Sequence, residues 1–266
     1  MGGTYQFDNA RQRDIYEYVE QNGAVWPEMV RQNVLVQPES GSKPTRSGAG
    51  LGPSVKMSNE ELSHHVSVLK RDGYLEEENG KLRVAMPVDA GAKTVPLDGD
   101  EAVVRPARQE DMDGVVDAIE TIASVESYVV AARLAEEVTR EGVLLRNNES
   151  EDRVFFVATV EGEAVGWLHV EGTQFARMSH TAELTLGVLE GYRGAGLGSA
   201  LMESGLDWAR DRGYRKVYQN LSATNDSAIA FLEGHGWAVE STREGHYQID
   251  GDLVDEVQLA FWLDRD

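Results

Sequence analysis

The sequence predicts an α+β (α/β) chain: a mixed central sheet with flanking helices, preceded by a small N-terminal domain of helices and one hairpin. Three observations carry this expectation. From residue 101 onward, runs of strand period alternate with runs of helix period. Between Thr181 and Ala209 a strand-like run, a glycine-rich turn and a helix-like run follow one another directly. Before residue 100 the order is instead helix, helix, helix, hairpin. The charge changes with it, from 11 basic and 15 acidic side chains in residues 1–100 to 14 and 31 in residues 101–266.

Residues 1–90 are expected to form the first domain. A helix from Asn9 to Asn22 is capped by Asp8 and stopped by Gly23. A short helix from Pro27 to Val34 carries proline in its first turn. Gln37 to Met57, rich in Gly, Ser and Pro, reads as a long mobile loop. Ser58-Asn-Glu-Glu61 is a capping box for a helix whose core face is Leu62, Val66 and Leu69. Gly73 ends it, and Asn79-Gly80 signals a two-residue hairpin. This order resembles a winged helix-turn-helix domain, in which Ser63, His64, Ser67, Lys70 and Arg71 would face a DNA groove. Electrostatics weighs against DNA, because Glu76, Glu77 and Glu78 stand where phosphate contacts would fall. Protein docking or pairing with a second copy of the chain is the competing role.

Residues 91–100 have no clear period and read as a linker. Residues 101–266 form the second expected domain. Its strands are Ala102–Arg105, Val154–Val160, Ala164–Val170, a run from Thr181, Lys216–Leu221, Trp237–Ser241 and Val254–Leu263. Helices are expected near residues 110–123 and 130–145, after Gly198 and after Asn225.

The turn reads Tyr192-Arg-Gly-Ala-Gly-Leu-Gly-Ser-Ala-Leu201. Its glycines let the backbone approach a ligand closely. The unpaired amides and positive dipole of the following helix start suit an anion, and Arg193 adds charge. The spacing is neither a mononucleotide loop nor a dinucleotide fingerprint. Arg-x-x-Gly-x-Gly behind a strand ending at Val188 resembles the acetyl-CoA pyrophosphate loop of the GNAT N-acetyltransferase superfamily. Asn225-Asp-Ser-Ala228, with Gly236-Trp237 closing the block, resembles that superfamily's Asn-x-x-Ala segment. The resemblance covers roughly residues 101–263 and implies a GNAT fold.

It also implies acetyl-CoA as co-substrate, an amine as acceptor, and roles for particular residues. Leu186, Gly187 and Val188 would pair with the pantetheine arm. Arg193, Gly194, Ala195, Gly196, Leu197, Gly198 and Ser199 would hold the pyrophosphate. Asn225 would brace the cofactor side or simply cap the last long helix. Glu183, in an Ala-Glu-hydrophobic setting on the strand before the loop, is the candidate general base, with His180 second. A base is needed because a lysine-like amine is protonated below about pH 10.4. Where many relatives carry a tyrosine that protonates the departing thiolate, this chain has Leu232. That leaves Tyr218, Tyr247, water or no acid at all. Leu232 also keeps open an alternative, a transcriptional regulator whose GNAT domain senses acetyl-CoA or a small amine without turnover.

Composition excludes several classes. The chain of 266 residues has no cysteine, so it has no disulfide or thiol nucleophile. His64, His65, His169, His235 and His246 show no metal spacing, and no metal is expected. No apolar run reaches the length of a membrane span, and the N-terminus lacks the pattern of a signal peptide, so a cytoplasmic location is expected. A net charge of −21 with scarce lysine resembles haloarchaeal proteins, whose high-salt cytoplasm screens self-repulsion.

Overall fold

The computed structural model describes residues 7–36, 55–85, 92–125, 128–148, 151–173 and 175–264. The chain divides into two compact units, Tyr5–Pro87 and Val88–Asp266.

In the first unit, α1 spans Ala10–Asn22. Its cap is Asn9 rather than Asp8. The extended backbone of Asn9 brings its side-chain oxygen within 3.0 Å of the Gln12 amide, whereas Asp8 donates its own amide to the Gln12 side chain. The helix stops at Gly23, whose φ of 70° is costly for a side chain bearing a Cβ. Helix α2 is Pro27–Asn33, and the two-residue strands β1 (Leu35–Val36) and β2 (Val55–Lys56) pair antiparallel. Most of the glycine-rich stretch between them, residues 37–54, lies outside the described residues. Helix α3, Asn59–Arg71, begins with the capping box: the Glu61 amide donates to Ser58 Oγ and the Ser58 amide to Glu61 Oε2. Strands β3 (Leu75–Glu78) and β4 (Lys81–Val84) turn at Asn79 and Gly80, both at positive φ. Val25, between α1 and α2, exchanges two backbone hydrogen bonds with Leu82 and so forms a single-residue bridge to the hairpin. Ile15, Val19, Leu62, Leu69, Leu75 and Leu82 form the core.

The second unit is built on one mixed sheet. Its strands are β5 (Lys93–Pro96), β6 (Glu101–Pro106), β7 (Arg146–Asn147), β8 (Glu151–Val160), β9 (Glu163–Thr173), β10 (Thr181–Val188), β11 (Lys216–Ser222), β12 (Ala238–Ile249) and β13 (Asp252–Trp262). They lie in the order β12-β13-β11-β10-β9-β8-β6-β5, with β7 against β8. The stretch expected as a linker therefore supplies an edge strand. It is recruited by the ladder to β6, by a tight turn in which the Leu97 amide donates to Asp100, and by an ion pair from Lys93 to Glu203.

Two helices, α4 (Met112–Val125) and α5 (Val129–Glu141), cover one face, packed on Phe155, Val157 and Trp167. Successive strand residues point to opposite faces, so Leu168 and Val170 meet α6 (Leu197–Asp211) on the other. There a Cβ on Gly205 would lie 2.6 Å from Leu168, which is why that position is glycine. The last helix, α7, is Asp226–Gly234. No helix among the described residues is long and apolar enough to cross a membrane.

One pairing positions the site. Strand β10 is bonded to β9 from Ala182 to Val188, but to β11 only from Thr181 to Glu183, in parallel. Beyond Glu183 the two strands part. The edge of β10 from Leu184 onward is left without a ladder partner on that side.

Candidate active site

A cavity of about 450 Å³ fills the opening between β10 and β11 and reaches the start of α6. That volume lies in the range of small-molecule sites. Leu186, Gly187 and Val188 supply one wall, and Arg193, Gly194, Gly196, Gly198 and Ser199 supply the far end. Gly187 is glycine because a Cβ would meet Ile122 at 2.8 Å. Gly194 and Gly196 adopt φ of 78° and 88°, the left-handed region, and turn the chain from the strand into the helix. No side chain caps α6. Its first amides are therefore available to an anion at the positive end of the helix. Arg193 Nε donates to the Val188 carbonyl over 2.9 Å and ties the loop to the end of β10.

The remaining residues expected in the loop sit differently. Ala195 is exposed at the tip, and Leu197 is buried in the core, where it anchors the first turn of α6. Asn225 caps α7, its side chain accepting from the Ala228 amide, and lines a second, narrower cleft rather than the large cavity.

Three residues lining the cavity carry no motif of their own. His235, at the end of α7, places Nε2 2.9 Å from Ser199 Oγ, while its Nδ1 lies 2.7 Å from the Phe231 carbonyl. It thereby joins the start of α6 to the end of α7. Phe231 packs 3.2 Å from where a Cβ on Gly198 would lie, so small size at 198 makes room for that ring. Gln219 is buried, lines both cavities, and its side-chain oxygen has no hydrogen-bond partner. An orphaned acceptor of this kind is expensive unless a ligand donates to it. These groups thus fit a CoA thioester: amides and Arg193 for the pyrophosphate, and an open strand edge for the amides of a pantetheine arm.

Glu183 is half-buried at the corner where the strands separate. It faces Glu171 on β9 and Tyr218 on β11. Asn220 donates to its Oε1 over a long 3.4 Å. Burial raises its pKa above the usual carboxylate range, reinforced by Glu171 and Glu256 and opposed by Arg133 and the Asn220 bond. The second cleft, lined by Tyr128 to Ala131 of the α5 start, Thr185 and Asn220, opens on the same sheet face. His180 is exposed just before the strand's start, and its carbonyl accepts from the Arg215 and Lys216 amides.

Leu232 is buried and lines the large cavity, so its side chain offers no proton there. Tyr218 does not line that cavity, and burial pushes its pKa up to about 12. Tyr247 lines the narrower cleft and donates to Glu256 over 2.5 Å. Burial and that bond push its pKa upward.

A cleft with the uncapped amides of a helix start at one end and an open strand edge along one wall has the layout of a site for a nucleotide thioester. The comparison with known proteins agrees. Residues 118–237 match the Acetyltransferase (GNAT) family model. Residues 118–237 are therefore a GNAT acetyltransferase domain, of an N-acetyltransferase family that takes its acetyl group from acetyl-CoA. YwnH of Bacillus subtilis, provisionally named a phosphinothricin acetyltransferase, is 28% identical over 145 residues, 52% of this chain and 88% of that protein. The L-amino acid N-acetyltransferase AaaT of Escherichia coli is 27% identical over 108 residues, 39% of this chain and 65% of that one. Among solved structures, yncA from Salmonella typhimurium, determined with its cofactor acetyl-CoA, superposes with a TM-score of 0.52 at 16% identity, covering 62% of this chain and 95% of that one.

Proposed function

We propose that the protein transfers the acetyl group to a primary amine, with Glu183 as the general base. The reading rests on one observation: Glu183 stands at the last paired position before the strands part, and its carboxylate accepts from Asn220, which lines the narrower cleft. Acetyl-CoA supplies the acetyl group as a thioester. Leu186, Gly187 and Val188 present the strand edge that aligns the pantetheine arm, and a strand amide polarises the carbonyl oxygen. Arg193 and the amides from Gly194 to Ser199 take the pyrophosphate, and Asn225 braces α7 beside it. Glu183 removes one proton from the acceptor ammonium, directly or through water. The freed nitrogen lone pair bonds to the carbonyl carbon as the C–S bond breaks, the thiolate leaves with that electron pair, and the second proton of the acylated nitrogen passes to the thiolate, directly or through water, leaving a neutral amide and free CoA. A thiol pKa of about 8.5 makes this departure tolerable without a protein acid, which accommodates Leu232. One curated relative is named an L-amino acid N-acetyltransferase, which supports an amine nucleophile. In the test, Glu183→Gln lowers kcat by roughly 100-fold or more, as loss of a general base does, while calorimetry still detects CoA binding. Full activity of the variant would overturn the assignment.

The first unit reads best as a winged helix-turn-helix module that docks a substrate or pairs two chains. Support comes from the order of its elements and from the strand bridge at Val25. DNA is the weaker partner, since Lys70 and Arg71 on the exposed face of α3 are already paired with Glu77 and Asp72. The acidic composition suits a high-salt cytoplasm.

A further inference from the structure

Around Glu183 the charged side chains fall into two groups. Most are already matched. Arg153 is fully buried and bonded by Glu137, Glu141 and Glu151. Glu171 lies 3.5 Å from His169 Nε2. Glu256 is held by Arg243 and by the Tyr247 hydroxyl, with His246 3.6 Å away. Glu183, by contrast, accepts only the long bond from Asn220 among the described residues. Arg133 on α5 is exposed, and no hydrogen bond or ion pair is formed by it among the described residues.

The helix geometry shows which way Arg133 faces. Glu137, one turn further along α5, reaches Arg153 at 3.3 Å. Arg153 is registered with Glu171, and Glu171 with Glu183, so the three share one face of the sheet. At the other end of the helix, Tyr128 to Ala131 line the narrow cleft beside Thr185 and Asn220. Arg133 therefore lies between the Arg153 cluster and the cleft. Consistent with that placement, its guanidinium acts on the carboxylates of both Glu183 and Glu171. A cation and an anion that face one site without touching form an open ion pair, and a zwitterion closes such a pair at both ends.

We propose that the acceptor is an α-amino acid, its ammonium placed at Glu183 and its carboxylate bound by Arg133. This rests on the reading of Glu183 as the base. Arg133 is then a binding residue that sets specificity, and an amine without the carboxylate forfeits its contact.

The test compares each of the common L-amino acids with the amine left by its decarboxylation, at saturating acetyl-CoA. The wild-type protein is expected to prefer the amino acid in kcat/KM. In Arg133→Ala the ratio of amino acid to matched amine falls by roughly 10- to 100-fold, the size of a hydrogen bond to a charged group, chiefly through KM. Arg133→Lys keeps part of the preference, and Arg133→Glu reverses it. The proposal fails if the wild type acetylates no amino acid, prefers the decarboxylated amines, or shows the same ratio as Arg133→Ala. The base assignment fails separately. Glu183→Gln with normal turnover would remove it while leaving the Arg133 ratio readable in the wild type. Amino-acid binding to the CoA-loaded Glu183→Gln protein, followed by calorimetry, tests the Arg133 contact without turnover.

Discussion

Glu183 on β10 and Tyr218 on β11 are the last facing residues of the parallel ladder between those strands. One position later the sheet opens. The residue is thus held by backbone pairing on its N-terminal side, and its carboxylate accepts from Asn220, which lines the narrower cleft. Its raised pKa, caused first by burial, has a direct consequence for the reaction. A base acts when ionised, so the acid limb of kcat/KM against pH should lie above the range of an ordinary exposed carboxylate. The Asn220 bond favours the ionised form. Asn220→Ala should move the limb to still higher pH. A pH–rate profile in which the limb stays put or moves down would contradict this assignment.

Gly196 should be intolerant of replacement. At its φ of 88° a Cβ costs on the order of 1–2 kcal/mol, so Gly196→Ala should lower the melting temperature by a few degrees. Gly196→Asp adds a negative charge where phosphates are expected. Calorimetric titration with CoA should show affinity weakened by about 100-fold, while circular dichroism reports the fold retained. Unchanged affinity would place the phosphates elsewhere.

Glu151 links stability to pH. It lies 3.3 Å from Arg153, yet burial, with Glu171 and Glu141 adding to it, raises its pKa to about 7, outweighing the arginine. A group raised on folding binds its proton more tightly in the folded chain. The stabilisation is complete below the unfolded value near 4.5 and is lost as pH rises toward 7. Glu151→Gln removes this linkage. Its stability relative to wild type should grow between those limits by roughly 2–3 kcal/mol, at about 1.36 kcal/mol per pK unit. Urea unfolding of both proteins across that window measures the difference, and parallel curves would exclude the effect.

The acidic surface sets a salt requirement. With a net charge of −21, self-repulsion should be strong when the Debye length is about 10 Å at 0.1 M salt, and largely screened at about 3 Å near 1 M. Thermal melts in a potassium chloride series should show the midpoint rising across that range. A flat series would remove the argument for a high-salt setting.

Much of the fold was legible because its signals are local. The capping box at Ser58, the Asn79-Gly80 turn, and the strand, glycine turn and helix from Thr181 to Asp211 each depend on dihedral preferences or spacings within a few residues. The same locality explains what was misread. Asn9 and Asp8 are both good caps, and only the backbone angle at Asn9 decides between them. Lys93 to Pro96 has too few residues to show a period, and becomes a strand because β6 offers it an edge.

The amino-acid sequence by itself determined the order of elements, the place of the glycine loop and the family resemblance, since these are written in neighbouring residues. Tertiary structure alone decided that β10 and β11 separate after Glu183, that His235 reaches Ser199, that Gln219 carries a buried, unmatched oxygen beside the cavity, and that Arg133, on a helix some fifty residues earlier, lies on the sheet face that carries Glu183. These relationships arise from strand register and helix packing between distant segments, and no local spacing encodes them.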